Sequence, residues 1–270
     1  MRAALVQIEC VWGDVEANIA KIDVWSRRAR AAGAELAVFP ELTVHGIHKD
    51  ERIWQLSESL DGPSVSRVRD IARATGLFLG FGFSERAAPL PYNAYAVATP
   101  EGRLAGVHRK NHIPYLEVPY WQGQPEGPVF DVAGRRFAVA ICWDATVEEL
   151  LAHYGRQRAE VVLMPHAWDA DPLDGEGGLL KHDTILELFE HQRCGRLGGW
   201  ATHDAMRDQF YAYIPQRARE NGFHALFVNQ SGQPHPALRF EGPSFAVDPR
   251  GEILAETKDG SEQMLLVEIP

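Results

Sequence analysis

Short apolar runs alternate with amphipathic stretches along the chain, and this alternation predicts an α/β protein. In the first half, the apolar runs at residues 3–8 and 36–39 predict strands buried on both faces. Apolar residues at helical spacing predict a helix over residues 14–32, which Gly33 would end, and a second helix over residues 63–75. Further strands are predicted at residues 77–83, 92–98 and 104–108.

The second half of the chain repeats this order of elements. Strands and helices are predicted in turn at residues 137–141, 145–154, 161–164, 209–220 and 224–229, followed by a hairpin of residues 244–247 and 252–255. Residues 34–40 and 159–165, AELAVFP and AEVVLMP, also match in sequence. We therefore predict two similar α/β halves whose sheets pack face to face as a four-layer α-β-β-α sandwich.

One stretch departs from this symmetry. The second half has a long connection at about residues 169–207, where the first half needs a much shorter one. We interpret it as an insertion into a single domain that spans residues 1–270. Long connections on rigid scaffolds form lids or binding loops, but they also form surface decoration or oligomer contacts, and the sequence leaves these alternatives open.

Composition and charge narrow the class of protein. The chain is 45% hydrophobic and 24% charged, which is ordinary for a globular protein, and its net charge of -10 disfavours nucleic acid as a partner. The N-terminus reaches a charge before a signal-peptide core is complete, and no apolar run approaches the about 20 residues of a membrane span. Three cysteines without a C-x-x-C spacing fit a reducing compartment. We therefore expect a cytoplasmic protein that binds neither nucleic acid nor membrane.

The candidate for chemistry in the second half is Cys142. It directly follows the apolar run at residues 137–141, and Asp144 or Thr146 is predicted to cap the helix that comes next. A thiol between a strand end and a helix N-terminus faces exposed backbone N–H groups, which lower its pKa and offer donors to an oxyanion. The alternative for a lone cysteine is a buried side chain that packs as a small hydrophobe.

Two charged residues of the first half lie at similar places. Glu41 follows the predicted strand at residues 36–39 and Pro40, and Lys110 follows the strand at residues 104–108. Because α/β sheets place their sites at the carboxyl ends of strands, these side chains and Cys142 are expected to converge. A nucleophilic thiol, a carboxylate base and an ammonium that stabilises an oxyanion together provide acyl-transfer chemistry. Each charged residue taken alone would be a solvated surface group.

At these residues the sequence resembles the nitrilase-like carbon–nitrogen hydrolases. Their three signatures occur in the family's order, as Phe39-Pro40-Glu41, Arg109-Lys110-Asn111-His112 and Ile141-Cys142-Trp143-Asp144. Peripheral segments that also match lie at residues 159–168, 217–222, 228–230 and 248–251. The resemblance covers nearly the whole chain except about residues 169–207.

The resemblance implies the αββα sandwich and a catalytic triad of Glu41, Lys110 and Cys142. It implies no cofactor, and it implies symmetric assembly, so that we expect a homodimer or a larger homo-oligomer. By the same resemblance, Glu117 is a second glutamate that orients the triad. The alternative for Glu117 is a loop glutamate with surface contacts only.

The resemblance also indicates residues around the substrate. The backbone N–H of Trp143 is expected to donate a hydrogen bond to the oxyanion. Trp143, His166 and Trp168 are expected to line the pocket. For His166 and Trp168, ordinary core packing is an alternative of nearly equal weight.

The residues around the cysteine bear on the substrate. Cys142-Trp143-Asp144 is more similar to amidases and N-carbamoyl-amine hydrolases than to true nitrilases, which more often carry glutamate after the tryptophan. We therefore expect hydrolysis of a small linear amide or N-carbamoyl amine through a thioester at Cys142, with release of ammonia. A nitrilase that acts on a C≡N group is the alternative. Residues 145–148 depart from the aromatic-proline pattern of carbamoyl hydrolases, which leaves the acyl group and its charge open.

A metal-dependent amidohydrolase is the next class of enzyme. The chain has eleven histidines, among them the pairs His45/His48 and His108/His112. The second pair flanks a predicted strand end, which disfavours presentation on one face, and no H-E-x-x-H or H-x-x-E-H motif occurs. We therefore expect no metal. A serine hydrolase lacks its G-x-S-x-G motif here, and the intact triad disfavours a non-catalytic interaction module.

Overall fold

The computed structural model describes residues 1–47, 50–114, 117–125, 127–168, 203–235 and 238–270. The helices of this part of the chain are α1 (Val15–Ala31), α2 (Arg52–Leu56), α3 (Pro63–Thr75), α4 (Glu148–Arg156) and α5 (His203–Asn221). The strands are β1 (Arg2–Gln7), β2 (Leu36–Val38), β3 (Phe78–Glu85), β4 (Tyr92–Ala98), β5 (Leu104–Arg109), β6 (Phe130–Val132), β7 (Arg135–Val139), β8 (Val161–Pro165), β9 (His224–Val228), β10 (Ser231–His235), β11 (Leu238–Glu241), β12 (Phe245–Val247), β13 (Ile253–Glu256) and β14 (Gln263–Glu268). The insertion predicted at about residues 169–207 lies outside the described residues up to residue 202.

Twelve of these strands form two six-stranded sheets with the same plan. The first sheet has the order β14-β1-β2-β3-β4-β5, and the second has the order β6-β7-β8-β9-β12-β13. In each sheet the second, third and fourth strands run parallel, and the outer pairs are antiparallel. The two sheets therefore correspond strand for strand, as the repeated order of elements predicted.

The side chains of each buried strand alternate between two hydrophobic layers. In β7, Phe137 packs between the sheets in a cluster that includes Leu5 of β1. Its neighbour Ala138 faces the other way, toward Leu151 of α4 and Ile214 of α5. The outer face of the first sheet is covered in the same manner by α1 and α3. These layers confirm the predicted α-β-β-α sandwich.

The helix ends of the first half follow from local sequence. Asp14 precedes α1, and its carboxylate accepts a hydrogen bond from the Ala17 N–H at 3.0 Å, which satisfies one of the free donors of the first turn. Helix α3 begins at Pro63 and ends where Gly76 adopts the left-handed conformation, with a φ of 67°. The predicted bounds of α3 are confirmed.

The helix predicted over residues 145–154 is different in the structure. The chain forms a 3-10 turn over Cys142–Thr146, and α4 begins only at Glu148. The predicted cap at Asp144 or Thr146 is wrong, because Val147 precedes α4 and makes no side-chain cap. Among the described residues, no helix is long and apolar enough to cross a membrane.

Candidate active site

The three predicted triad residues lie just beyond the carboxyl ends of strands from both sheets. Glu41 follows β2 and Lys110 follows β5 in the first sheet, whereas Cys142 follows β7 in the second. The parallel strands at the centre of each sheet end on the same side, so that the site forms at the edge where the two sheets meet.

Glu41 is fully buried and surrounded by hydrogen-bond donors. Its Oε1 accepts from the Lys110 Nζ at 2.9 Å and from the Asn93 Nδ2 at 2.7 Å. Its Oε2 accepts from the Ala167 backbone N–H at 2.9 Å, and Ala167 belongs to the second half. A buried carboxylate is tolerated when donors compensate its desolvation, and both oxygens of Glu41 have such partners.

The backbone turn that carries Glu41 rests directly on β3. Leu42, the next residue, has a positive φ of 49°. A Cβ atom at Gly82 of β3 would lie only 2.2 Å from the Leu42 backbone nitrogen. Glycine at position 82 is therefore required by this close approach of two backbones.

Lys110 is fully buried between two carboxylates. Its Nζ lies 2.9 Å from the Glu41 Oε1 and 2.9 Å from the Glu117 Oε2. Burial alone would lower the pKa of Lys110, but the charges of Glu117 and Glu41 outweigh it and raise that pKa well above its ordinary value. Lys110 is therefore a permanent ammonium, which acts as a cation and a hydrogen-bond donor and not as a base.

Cys142 is partly buried and has a positive φ of 48° in the 3-10 turn. Burial raises the pKa of its thiol well above the ordinary value of 9.0, and the nearby Glu41 carboxylate raises it further. The Lys110 ammonium acts in the opposite direction and is outweighed. The predicted lowering of this pKa by a helix N-terminus is wrong, because the helix begins later and because burial and the negative charges of Glu41 and Glu117 raise the pKa. The resting form is the neutral thiol.

The Asp144 carboxylate lies between two segments, the residues that follow Lys110 and the 3-10 turn of Cys142–Thr146, which we call the cysteine turn. Asp144 is fully buried, and its oxygens accept from the backbone N–H groups of Ile141, Asn111 and His112 at 3.2, 3.1 and 2.8 Å. The His108 Nε2 and the His112 Nδ1 each lie 3.1 Å from the same carboxylate. Burial would raise the pKa of Asp144, but the hydrogen bonds from the two imidazoles outweigh it and hold that pKa well below its ordinary value.

The two histidines therefore converge, which sequence reasoning disfavoured. Strand β5 ends at Arg109, so His108 still belongs to the strand, and the chain then turns to bring the His112 ring back to the same carboxylate. Both rings meet the Asp144 carboxylate. Within the described ranges, no cluster of three or more His, Cys, Asp or Glu side chains is arranged to hold a metal ion.

The residues predicted to line the pocket are near this edge. His166 is fully buried, its ring stacks on Phe227 with centroids 3.9 Å apart, and burial lowers its pKa to about 3. The Trp168 ring packs on Phe210 at 5.2 Å. For His166 and Trp168 these contacts are those of core packing. Trp143 is partly buried in the 3-10 turn next to the cysteine.

The sequence analysis did not assign two polar residues beside Glu41 to the site. Asn93, fully buried in β4, donates to the Glu41 carboxylate, and its backbone carbonyl accepts from the Lys110 N–H at 2.8 Å. Gln230, also fully buried, donates from Nε2 to the backbone carbonyl of Glu41 at 2.9 Å. An asparagine inside a run that otherwise predicts a buried strand was the available signal, because buried amides need partners.

With this geometry in place, comparison with known proteins identifies the class of enzyme. The carbon-nitrogen hydrolase family matches the chain over residues 2–270. The chain belongs to the carbon–nitrogen hydrolase family. It is therefore an enzyme of that class, as the sequence signatures predicted.

Individual relatives include several activities. N-carbamoylputrescine amidase of Arabidopsis thaliana is 26% identical over 94% of this chain and 82% of that protein. Nitrilase 1 of the same plant is 31% identical over 100% of this chain and 78% of that protein. The amidase from Nesterenkonia sp. AN1 shares the fold, with a TM-score of 0.78, 24% identity, and coverage of 100% of this chain and 93% of that chain.

Proposed function

We propose that the chain hydrolyses a small linear amide or N-carbamoyl amine through a thioester at Cys142 and releases ammonia. The observation that carries this proposal is the contact of the Lys110 Nζ with the carboxylates of Glu41 and Glu117, beside the partly buried Cys142, whose thiol these three charges influence. A base, a fixed cation and a nucleophile in one place are the groups that acyl transfer requires.

The first step is attack of the Cys142 sulfur on the carbonyl carbon. The thiol is neutral at rest, so proton transfer to the Glu41 carboxylate accompanies formation of the sulfur–carbon bond. The carbonyl oxygen becomes an oxyanion, which the Lys110 ammonium and the Trp143 backbone N–H stabilise. Glu41 then returns the proton to the departing nitrogen, the carbon–nitrogen bond breaks, and ammonia leaves a thioester.

The second step is hydrolysis of the thioester. Glu41, again ionised, takes a proton from water, whose oxygen attacks the thioester carbon. Collapse of this second intermediate breaks the carbon–sulfur bond and returns the proton to the sulfur. Glu117 keeps the Lys110 ammonium in place through both steps, because its Oε2 binds the Nζ at 2.9 Å independently of Glu41.

Two observations support an amide or ureido substrate over a nitrile. Asp144 follows Trp143, whereas glutamate is more frequent there in nitrilases. The relatives include amidases, among them one named for N-carbamoylputrescine. Nitrilase 1 has the higher identity of the two plant relatives. Hydrolysis of a nitrile is therefore the second candidate function, and nitriles are included in the test.

The experiment is a panel of short amides, N-carbamoyl amines and nitriles assayed for ammonia with the wild type, Cys142→Ala and Cys10→Ala. Cys142→Ala removes the nucleophile and is expected to abolish turnover, by at least about 10⁴-fold. Cys10 is fully buried, and its replacement serves as the matched cysteine control with near wild-type turnover. Acid quenching of the wild type should give the mass of an acyl group on the peptide that contains Cys142. Full ammonia release by Cys142→Ala, or preference for nitriles, would contradict the proposal.

A further inference from the structure

The Asp144 carboxylate is the point where the two catalytic segments are tied together. It comes from the cysteine turn of the second sheet, two residues after Cys142. Its donors Asn111 and His112 are the two residues that follow Lys110. The Oδ1 and Oδ2 atoms accept these N–H groups at 2.8 to 3.2 Å.

The same carboxylate also closes its own turn. Its Oδ2 accepts from the Ile141 N–H at 3.2 Å, just before the cysteine. Cys142 lies within this closed turn with its positive φ of 48°, a conformation that costs a non-glycine residue energy and persists only where surroundings enforce it. Asp144 is one such enforcing contact.

Two imidazoles complete the set of donors. His108 is buried on β5, and His112 is 43% exposed, and each directs a ring nitrogen to the Asp144 carboxylate at 3.1 Å. A carboxylate accepts from all of these donors at once, whereas an amide would oppose some of them with its own N–H groups. The cluster therefore requires an ionised carboxylate at position 144.

We propose that Asp144, with His108 and His112, is a positioning residue that fixes the Cys142 sulfur relative to Lys110 and Glu41. The proposal rests on the proposed function, because it assigns Asp144 to the assembly of that same site. Asp144 acts through the two catalytic segments, one from each sheet, and does not itself react. Its loss is expected to lower the rate of chemistry more than the affinity for substrate.

The test compares Asp144→Asn, Asp144→Glu and His112→Ala with His153→Ala, a partly exposed histidine of α4 outside the cluster. Asp144→Asn is expected to lower kcat by about 100-fold with KM within about threefold, as misplacement of reacting groups by about 1 Å does. Asp144→Glu keeps two acceptor oxygens and is expected to recover part of that loss. His112→Ala keeps the backbone donor and is expected to lose about tenfold in kcat, with His153→Ala unchanged.

Two further measurements separate positioning from general stability. Thermal unfolding shows whether each variant is folded, and His112→Ala carries the test if Asp144→Asn does not fold, since the exposed ring is not part of the core. The rate of Cys142 alkylation by iodoacetamide, measured from the mass of the modified peptide, reports the placement of the thiol without a measurement of turnover. It is expected to change in the Asp144 and His112 variants and not in His153→Ala.

The outcomes distinguish this proposal from the proposed function. The positioning role alone would be overturned if the wild type releases ammonia and the folded variants Asp144→Asn and His112→Ala keep the wild-type kcat and alkylation rate. Absence of ammonia release by the wild type from every substrate would overturn the proposed function. In that case, an altered alkylation rate in His112→Ala would still support the positioning role, and an unaltered rate would overturn it.

Discussion

The two halves of the molecule differ most clearly at one equivalent position, which Glu41 occupies in the first half and His166 in the second. Each residue follows a proline at or just after the end of a central parallel strand, and each is fully buried. Glu41 is surrounded by an ammonium, an amide and a backbone N–H. His166 instead stacks on Phe227 and packs edge-on against Phe210. One backbone plan thus holds a buried charge in one half and a neutral ring in the other.

A second equivalent position shows the reverse division. Leu36 and Val161 correspond in the repeated segments and pair with Ala3 of β1 and Phe137 of β7. Cys142 lies five residues after Phe137 in the second half. The residue five positions after Ala3, in the first half, is Ile8. Each half therefore contributes a side chain of the proposed catalytic triad where its counterpart has a core residue. The scaffold is symmetric, and the chemistry depends on which side chain ends each strand.

The largest effect expected within this comparison of the two halves comes from neutralising Glu41, the charged member of the first pair. Glu41→Gln keeps the shape but removes the base, so kcat for ammonia release is expected to fall by about 10²- to 10⁴-fold. The matched change in the other half, His166→Leu, keeps the bulk of the ring and is expected to leave kcat within about tenfold while costing on the order of 1 kcal/mol through the lost hydrogen bond to Met164. Equal losses of kcat in the two variants would remove the distinction between the halves.

The next effect concerns stability. Lys110→Met leaves two buried carboxylates without their shared cation and is expected to lower the free energy of unfolding by roughly 3–5 kcal/mol, measured by urea denaturation. The control is Lys21→Met, because Lys21 pairs with Glu262 at 2.7 Å on the surface. That change is expected to cost less than about 1 kcal/mol. A Lys110 variant as stable as the Lys21 variant would show that the buried network does not support the fold.

The two cysteines of the described residues are expected to differ in reactivity. Cys10 is fully buried, and burial raises its pKa to about 12, whereas Cys142 is partly exposed at the site. Alkylation by iodoacetamide should modify Cys142 before Cys10. Because the pKa of Cys142 is also raised, its thiolate fraction increases with pH, and the alkylation rate should still climb above pH 9.0. The alkylation rate is measured from the mass of the peptide that contains Cys142. A rate that reaches a plateau below that pH would contradict the raised pKa.

The smallest effect is in acid stability. The pKa of His166 is lowered from 6.5 to about 3 in the folded protein, so the unfolded chain binds a proton that the folded one excludes. Stability is therefore lost as the pH falls below 6.5 toward 3. Between pH 7.5 and 5.5 the loss at this one residue is on the order of 1 kcal/mol. In urea titrations at both pH values, His166→Leu should lose less stability than the wild type, and an equal loss would contradict this assignment.

Much of the fold was predictable because it depends on patterns within short segments. Apolar runs gave the central strands, and the bounds of α3 followed from Pro63 and Gly76. The repeat of order predicted two matching sheets. The strands β6 and β14 were missed, and each lies at a sheet edge and is only partly buried. In β14 the apolar run Met264-Leu265-Leu266-Val267 was a signal that the prediction did not use. The single domain, the cytoplasmic location and the homo-oligomer stay predictions.

The site was predictable in its members and not in its electrostatics. Glu41, Lys110 and Cys142 are brought to one edge, as their places after strands indicated. The predicted direction of the thiol pKa shift was wrong, because that pKa depends first on burial and then on carboxylates distant in sequence. The hydrogen-bond partners of Asp144 were likewise not predictable from the sequence. A short polar residue after a strand fits a helix cap as well as it fits hydrogen bonds that link two sheets.

The turn that carries Glu41 restricts the choice of residue at Gly82 in β3. A hydrogen atom is the whole side chain that β3 can carry beneath the Glu41 turn, because the next backbone lies against it. Even one methyl group there would force the backbone of β3 or of the turn that carries Glu41 to shift. Gly82 contacts none of the proposed catalytic side chains' reacting atoms, yet it restricts which sequences can form the site. A substitution there would lower activity, as the substitution of a catalytic residue would.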